Sequence, residues 1–290
     1  MTTNLFQART VGELYRLIKN TLSESPLDNF PVEETRMIIE HVLGIHTPQL
    51  FAHPETPVSA DDVGRVENLL DAYLGGTPLP YLFGEWGFYG MTFAVTPDVL
   101  IPREETERLV DGALQWLKAH PDVGEFVDVG TGSGCIGCAV LANAANPSLR
   151  AVLVDASAGA LSVARANLNR YQLESRAALV QGNLGDPLPP GQRLILANLP
   201  YIPSARIATL AIAAAEPRFA LDGGPDGFEL IRKLLVGIRG KVANPFLILC
   251  EIDDTHAEIA CDFSRPLFPS ARIAIETDYA GKTRYLRIEG

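Results

Sequence analysis

One tetrapeptide in this chain combines residue types that can hold a planar NH2 group: Asn198-Leu199-Pro200-Tyr201. The nitrogen of an amide or an aromatic amine is a poor nucleophile because its lone pair is delocalised, so it must be held in a productive orientation. The side-chain oxygen of Asn198 and the backbone carbonyl of Leu199 can each accept one N–H bond from such a group. Pro200 stiffens the turn, and the ring of Tyr201 offers a face for stacking. We therefore predict that these four residues form the catalytic set.

A glycine-rich turn marks a candidate cofactor site. It comprises, in order, Gly130, Thr131, Gly132, Ser133 and Gly134, and it connects an apolar strand to a helical stretch. Glycine has no Cβ and tolerates a positive φ, so the backbone of such a turn can approach a ligand closely. The spacing is G-x-G-x-G, whereas dinucleotide-binding enzymes use G-x-G-x-x-G. This difference disfavours a nicotinamide cofactor.

An acidic residue ends the strand that follows the turn. The carboxylate of Asp155 would lie at the carboxyl edge of a sheet, where it can accept hydrogen bonds from both hydroxyls of a ribose. The arrangement resembles the first motif of the Rossmann-like S-adenosylmethionine methyltransferases, D/E-x-G-x-G-x-G, which reads from Asp128 to Gly134 here. The resemblance implies that Gly130, Gly132 and Gly134 border the methionine part of S-adenosylmethionine and that Asp155 binds its ribose.

The same resemblance places an adenine-binding residue after the third strand. Asn183 occupies that position and could hydrogen-bond the adenine edge, with Leu184 packing on the ring; Asp186 is the alternative. The predicted cofactor-binding set is Gly130, Thr131, Gly132, Ser133, Gly134, Asp155, Asn183, Leu184 and Asn198.

The elements that position these residues follow an α/β pattern. From residue 125 onward, apolar strand-like runs alternate with helical stretches, which indicates a mostly parallel sheet with helices on both faces. Residues 271–290 are typical of two strands joined by a loop, an antiparallel edge. Ligands gather at the carboxyl edge of such sheets, so the glycine turn and the Asn198 motif should meet there. The predicted fold is a Rossmann-like class I S-adenosylmethionine methyltransferase sheet.

The chain before this sheet has a different character. Residues 1–78 show apolar residues at spacings of three and four, which predicts a small helical domain. Residues 79–100 are rich in aromatic residues and glycine, and we interpret them as a β-hairpin linker. Residues 101–290 form the predicted methyltransferase domain. A helical domain flanking the catalytic cleft could provide a docking surface for a large partner.

Composition excludes several classes of protein. The formal net charge of −11 disfavours a nucleic-acid substrate, because nucleic acids are usually bound through a basic surface. No apolar run is long enough for a membrane helix, and the polar N-terminus lacks the order of a signal peptide, so we expect a cytoplasmic protein without membrane partners. The four cysteines lie in or beside apolar runs. We interpret them as buried thiols and predict no metal site.

Three separated segments resemble signatures of the HemK/PrmC family. Residues 100–107 resemble its I-P-R-x-x-T-E signature, residues 216–227 its E-P-x-x-A-L-x-G-G-x-D-G segment, and residues 278–284 its D-x-A-G-x-x-R close. Glu216 in the second segment is interpreted as a brace for the loop over the site. Leu199 stands where the family usually has proline, and this leaves the carbonyl acceptor in place.

The resemblance implies a substrate. HemK/PrmC enzymes transfer the methyl group of S-adenosyl-L-methionine to the side-chain N5 of the glutamine in the Gly-Gly-Gln motif of peptide chain release factors, leaving S-adenosyl-L-homocysteine. A sister branch acts on a glutamine of a ribosomal protein. The chain is thus predicted to be a protein-(glutamine-N5) methyltransferase that acts in translation termination, with a release factor as its partner.

Other functions remain open at this point. The N-L-P-Y variant is similar to that of rRNA adenine dimethyltransferases, so an RNA adenine N6-methyltransferase is one alternative. A non-catalytic module that only binds S-adenosylmethionine is a second, which the intact Asn198, Pro200 and Tyr201 disfavour. A nicotinamide oxidoreductase is a third, and it would require the missing glycine spacing.

Overall fold

The computed structural model describes residues 7–27, 30–210, 215–278 and 280–290. The chain divides into two compact units, Met1–Phe83 and Gly84–Gly290. Within the described ranges, no helix combines the length and apolar character that crossing a lipid bilayer requires.

The first unit consists of helices, as the sequence predicted. Its described helices are α1 (Val11–Ser23), α2 (Pro31–Leu43), α3 (Thr47–Ala52), α4 (Ala60–Leu74) and α5 (Leu79–Phe83). Side chains close two helix N-termini: the hydroxyl of Thr10 accepts from the Glu13 amide, and that of Ser59 accepts from the Asp62 amide. Gly44 ends α2 with a φ of 66°, a conformation that glycine adopts readily. The apolar faces of these helices bury a core that includes Leu14, Ile18, Ile38, Val66 and Leu70.

The second unit begins with a hairpin that is shorter than the sequence predicted. Strands β1 (Glu85–Phe88) and β2 (Met91–Ala94) pair antiparallel around a two-residue turn at Tyr89 and Gly90, both of which have positive φ. The predicted hairpin over residues 79–100 was therefore wrong at its start, because residues 79–83 form α5. Pro80 lies in the first turn of this helix, where its missing N–H costs no helical hydrogen bond.

A seven-stranded sheet forms the centre of the second unit. Its spatial order is β5-β4-β3-β6-β7-β9-β8; β3 to β7 run parallel, and β9 pairs antiparallel with both β7 and β8. The mostly parallel sheet and its antiparallel edge confirm the prediction. The strands are β3 (Glu125–Val129), β4 (Arg150–Asp155), β5 (Ala177–Gln181), β6 (Gln192–Ala197), β7 (Val242–Glu251), β8 (Arg272–Thr277) and β9 (Thr283–Glu289).

Helices cover both faces of this sheet. They are α6 (Glu107–Ala119), α7 (Cys135–Asn143), α8 (Ala158–Arg170), α9 (Ser204–Ile207), α10 (Glu229–Ile238) and α11 (Ala257–Leu267). Successive strand residues alternate between the two cores: Phe126 belongs to the core that contains α6 and α7, and Val127 to the core that contains α10 and α11. Because β3, β4, β5 and β6 are parallel, their carboxyl ends meet at one edge, and the candidate site lies there.

Candidate active site

A cavity at the carboxyl edge of the sheet contains most of the predicted site residues. It is lined by Gly130, Gly132, Asp155, Asn183, Leu184, Asn198, Leu199 and Pro200, together with residues from three other segments. Of the described residues, Thr131, Ser133, Gly134 and Tyr201 are predicted members that do not line it. The structure thus brings the two halves of the predicted site, cofactor and catalytic, to one cavity.

Each glycine of the turn has its own structural reason for lacking a side chain. Gly130 has a φ of 72°, and a Cβ there would lie 2.7 Å from Cδ2 of Leu199, so glycine makes room for the Leu199 side chain. Gly132 has a φ of 55° and would present its Cβ to open space, since it borders the cavity directly. Gly134 precedes α7, and its Cβ would lie 3.1 Å from that of Ala164. Gly134 therefore packs against α8, whereas the prediction placed it beside the cofactor.

Asp155 is held at the cavity wall by backbone donors. Its Oδ2 accepts a hydrogen bond of 2.9 Å from the Gly132 amide, and its Oδ1 accepts one of 2.9 Å from the Ser157 amide. Each carboxylate oxygen has capacity for a second donor. A half-buried carboxylate fixed in this way can accept both hydroxyls of a ribose, so the residues present fit an adenosine-containing cofactor.

A second carboxylate lies behind the turn and was not among the predicted site residues. Asp128 is fully buried; its Oδ2 accepts from the hydroxyl of Thr131 and from the amide of Gly137, at 2.6 and 3.1 Å. Its Oδ1 has no hydrogen-bond partner among the described residues. Burial raises the pKa of Asp128 to about 6, against the lowering effect of these two donors. Asp128 does not line the cavity, whereas Gly130 and Gly132 of the adjoining turn do, so its carboxylate holds the turn from behind.

Two predicted members of the turn have structural roles instead. Thr131 donates to Asp128, as described above, and so does not face the cavity. Ser133 is buried, and its backbone carbonyl accepts from Nδ2 of Asn167 on α8 at 2.8 Å. Both residues fix the turn because their polar groups are used inside the protein.

The far end of the cavity has the character of a base-binding pocket. Asn183 and Leu184 line it, and Nδ2 of Asn183 donates to Oδ2 of Asp186 at 3.2 Å, which leaves the Asn183 oxygen available. Phe219 and Leu230 line the same cavity, and Phe219 is 58% exposed. Phe219 has no periodic signal in the sequence, because it lies in a single turn of 3-10 helix, Arg218–Ala220.

A chain of hydrogen bonds lies behind Asn198. Its Nδ2 donates to Oγ1 of Thr106 at 2.9 Å, the Thr106 hydroxyl donates to Oε2 of Glu251 at 2.8 Å, and the Tyr201 hydroxyl donates to Oε1 of Glu251 at 3.0 Å. Tyr201 therefore faces Glu251, whereas the prediction gave its ring to the ligand. Thr106 and Glu251 were not predicted as site residues. The sequence shows only that Glu251 ends an apolar run, and the structure places that strand, β7, beside β6.

The three segments that resemble family signatures meet around this chain of hydrogen bonds. Glu216 pairs with Arg103 and also accepts from the Ile101 amide at 3.1 Å, so it ties the first segment to the second. A Cβ on Gly223 would lie 2.7 Å from the carbonyl oxygen of Pro200, so the second segment packs directly on the Asn198 turn. Arg284 of the third segment lowers the pKa of Glu251, against the dominant raising effect of burial.

The cysteines lie away from this chemistry. All four are free thiols; Cys135, Cys138 and Cys250 are buried, as expected, whereas Cys261 is only partly buried. Burial raises the pKa of Cys135 and of Cys250 to about 12, which keeps both protonated near neutral pH. In the described part of the chain, no group of three or more His, Cys, Asp and Glu side chains is arranged to hold a metal ion.

Comparisons with known proteins agree with this architecture. The family described as PrmC N-terminal domain matches residues 13–84, and the family described as Methyltransferase small domain matches residues 109–223. A release factor glutamine methyltransferase of Moorella thermoacetica is 37% identical over 87% of this chain and 90% of its own length. A ribosomal protein uL3 glutamine methyltransferase of Burkholderia pseudomallei is 31% identical over 91% of this chain and 90% of its own.

A human relative and a solved structure extend the comparison. The human MTRF1L release factor glutamine methyltransferase is 30% identical over 88% of this chain and 80% of its own length. The human METTL16 catalytic domain, in complex with an RNA hairpin, superposes with a TM-score of 0.54 at 13% identity, covering 69% of this chain and 76% of that one. At this identity the similarity shows the fold alone.

Proposed function

Because the chain belongs to the release factor glutamine methyltransferase family, we propose that it methylates the side-chain amide nitrogen N5 of a glutamine in a peptide chain release factor. The observation that carries the proposal is the shared cavity. Asn198 and Leu199, which can hold an amide NH2, line the same space as Gly132 and Asp155, which can hold a nucleoside. A donor of methyl groups and its acceptor would thus meet at one edge of the sheet.

The residues present fit S-adenosylmethionine as the cofactor. Asp155 would accept the ribose hydroxyls, and Asn183 with Leu184 would contact the adenine. The backbone of the glycine turn, which lines the cavity at Gly130 and Gly132, would lie beside the methionine part. When bound, this cofactor supplies an electrophilic methyl group. The N–C bond forms as the C–S bond breaks, and the electron pair of the C–S bond stays on sulfur. The nitrogen then releases one proton.

The protein contributes mainly orientation. The Asn198 side-chain oxygen and the Leu199 carbonyl would accept the two N–H bonds of the glutamine amide, which fixes its plane and turns the nitrogen lone pair towards the methyl group. Positive charge develops on the nitrogen during transfer, and both acceptors stabilise it. No strong base is required, because the proton becomes acidic once the nitrogen carries the methyl group.

A release factor is favoured over the alternative substrates, a ribosomal protein and RNA. Several relatives named for release factors match at 30–38% identity over most of the chain, and the uL3 relative matches at 31%. The net charge of −11 opposes an RNA substrate. We accordingly place the reaction in the cytoplasm, with a protein partner.

Mass spectrometry of a purified release factor tests this function. The factor is incubated with the protein and S-adenosylmethionine, and we expect one added methyl group on its Gly-Gly-Gln peptide. Asn198→Ala should lower the rate by about 100-fold or more, because it removes an acceptor that aligns the nucleophile. Asn143→Ala makes the same chemical change at an exposed position of α7 and should retain the wild-type rate.

Two other outcomes would overturn the substrate assignment. Methylation of a uL3 glutamine with no methylation of the release factor would move the protein to the ribosomal branch. Transfer to RNA and to neither protein would favour the adenine N6 alternative.

A further inference from the structure

The hydrogen bonds around Asn198 have a direction as well as a length. We propose that Thr106 and Glu251 are positioning residues that fix which end of the Asn198 carboxamide faces the cavity. The proposal rests on the proposed function, since it concerns how Asn198 presents an acceptor to a substrate amide. It adds two residues, one from the first family-like segment and one from the end of β7, to the machinery of methyl transfer.

The direction follows from counting protons. A hydroxyl has a single proton, and Thr106 donates it to Oε2 of Glu251 at 2.8 Å. The oxygen of Thr106 can then only accept, and the sole donor of Asn198 is its NH2 group. The nitrogen end of the carboxamide must therefore face Thr106, which leaves the oxygen end for the cavity. Donor capacity alone sets this orientation, because only the NH2 group of the carboxamide can donate.

When its carboxylate is ionised, Glu251 sets the direction of these hydrogen bonds. An ionised carboxylate only accepts, so it takes the protons of both Thr106 and Tyr201. Glu251 is 1% exposed and its pKa lies above the ordinary value, because the raising effect of burial outweighs the lowering by the donors Thr106 and Tyr201 and by the charge of Arg284. The carboxylate of Glu105 acts in the same direction as burial. Asp278 accompanies Arg284, at 3.6 Å between Oδ2 and Nε.

The reversed carboxamide would oppose the reaction. It would present an NH2 group to the NH2 group of the substrate, so that two donors meet and the substrate amide loses one of its two acceptors. The nitrogen lone pair would then no longer be held towards the methyl group. The loss of one alignment contact of this kind corresponds to roughly tenfold or more in rate.

Neutron crystallography of the full chain reads the direction without any activity measurement. In a crystal exchanged into D2O near pH 7, we expect two deuterons on the Asn198 atom that faces Thr106, one deuteron between Thr106 and Glu251, and none on the Glu251 carboxylate. A deuteron bound to Glu251, or the Asn198 nitrogen directed into the cavity, would overturn the proposal. The neutron measurement decides the orientation of Asn198 even if the protein proves inactive on release factors. This proposal and the proposed function can therefore fail separately.

A matched pair of variants tests the consequence for catalysis. Thr106→Val keeps the shape of the side chain and removes the hydroxyl, whereas Thr106→Ser keeps the hydroxyl and removes a methyl group. We expect Thr106→Val to lower kcat for release-factor methylation by about tenfold or more, with KM for the release factor within about threefold of the wild type. Thr106→Ser should restore kcat to within about threefold. Equal losses in both variants would show that Thr106 acts only through packing.

A second variant covers the case in which Thr106→Val does not fold. Glu251→Gln has the same shape, and an amide is less costly to bury than a carboxylate. Its NH2 group can donate to Thr106 and release the Thr106 proton towards Asn198, so both directions become available. We expect an intermediate fall in kcat, with unchanged KM. A wild-type kcat in Glu251→Gln would contradict the role of Glu251.

Discussion

At the residue scale, the two cavity-side glycines of the turn should respond differently to the same substitution. Gly132→Ala adds a methyl group that meets no protein atom within 4 Å but lies at the cavity, in a backbone of positive φ that costs an L-residue about 1–2 kcal/mol. We expect a small loss of stability and a cofactor affinity lower by about tenfold. Isothermal titration of S-adenosylmethionine and urea denaturation measure the two effects.

Gly130→Ala is the comparison for this prediction. Its Cβ would meet Cδ2 of Leu199 at 2.7 Å, so the Asn198 turn has to shift as well. We expect a larger fall in the free energy of unfolding than for Gly132→Ala. The reverse order of stability would contradict the assignment of Gly132 to the cavity and of Gly130 to packing.

Asp128 should make stability depend on pH. Its folded-state pKa of about 6 lies above its ordinary value of 3.8, so the folded protein without ligand binds the proton more tightly than the unfolded chain. Ionisation of Asp128 therefore opposes folding above about pH 6, and this effect disappears as the pH falls below 3.8. Asp128→Asn should raise the free energy of unfolding at pH 7 by about 1–3 kcal/mol, with no gain near pH 4.

The same variant should still bind the cofactor, because Asp128 does not line the cavity. Asparagine can satisfy Thr131 and Gly137 through its oxygen, so the turn keeps both hydrogen bonds. Denaturation curves of both proteins between pH 4 and pH 8, with cofactor titrations at pH 7, check the two parts. A stability difference that does not change with pH would contradict the role of the carboxylate.

How far the sequence predicts a residue depends on how local its partners are. The glycine turn and the Asn198 turn could be predicted because each depends on a few adjacent residues. Thr106 and Glu251 could not, since their hydrogen bond joins residues 145 positions apart and exists only once β7 lies beside β6. Tyr201 was assigned to the ligand for the same reason: its partner, Glu251, is distant in sequence.

At the element scale, one buried side chain joins the hairpin, helix α8 and the glycine turn. Asn167 on α8 accepts from the Ala94 amide at 2.7 Å and donates to the carbonyls of Ala94 and Ser133, at 3.0 and 2.8 Å. It is fully buried, so no water replaces these bonds when they are removed. The hairpin and the cofactor turn are therefore coupled through a single residue.

Asn167→Ala tests this coupling. The substitution removes the partner of three backbone groups, two of partly buried Ala94 and one of buried Ser133, and we expect it to lower the free energy of unfolding by about 2–4 kcal/mol. Hydrogen exchange should accelerate at the Ala94 amide and in the glycine turn. Asn169→Ala, at an exposed position of the same helix, should leave both exchange and stability unchanged. Faster exchange in the hairpin alone would show that the turn is held independently.

The limits of element prediction have physical causes as well. The parallel strands could be predicted because they are short apolar runs between helical stretches, and β8 and β9 because their residues are typical of two strands joined by a loop. The order of the strands could not be read from the sequence, since it is set by contacts between distant segments. Helix α5 was missed because its five residues, Leu79–Phe83, include aromatic side chains that are typical of strands.

At the scale of the whole molecule, each of the two units has its own buried core. The candidate site is lined by residues of the second unit alone, from Asp98 to Leu230. We expect residues 84–290, produced separately, to bind S-adenosylmethionine within about threefold of the affinity of the full chain.

Release-factor methylation should depend on both units. If the helical unit serves as the docking domain, its removal should raise KM for the release factor by about tenfold or more, while KM for the cofactor stays the same. Steady-state kinetics of the full chain and of residues 84–290 measure this difference. Unchanged release-factor kinetics in the shorter chain would contradict a docking role.

The long separation of the paired residues also sets when activity arises during synthesis. The ribosome releases Asn198 well before Glu251 and before Tyr285, whose hydroxyl donates to the carbonyl of Glu105, 180 positions earlier. Local elements can form as they leave the exit tunnel, but contacts of this span must wait for both partners. A nascent chain thus carries the glycine turn and the Asn198 turn without the groups behind them. The enzyme becomes competent only after the ribosome has released Glu251 and Tyr285.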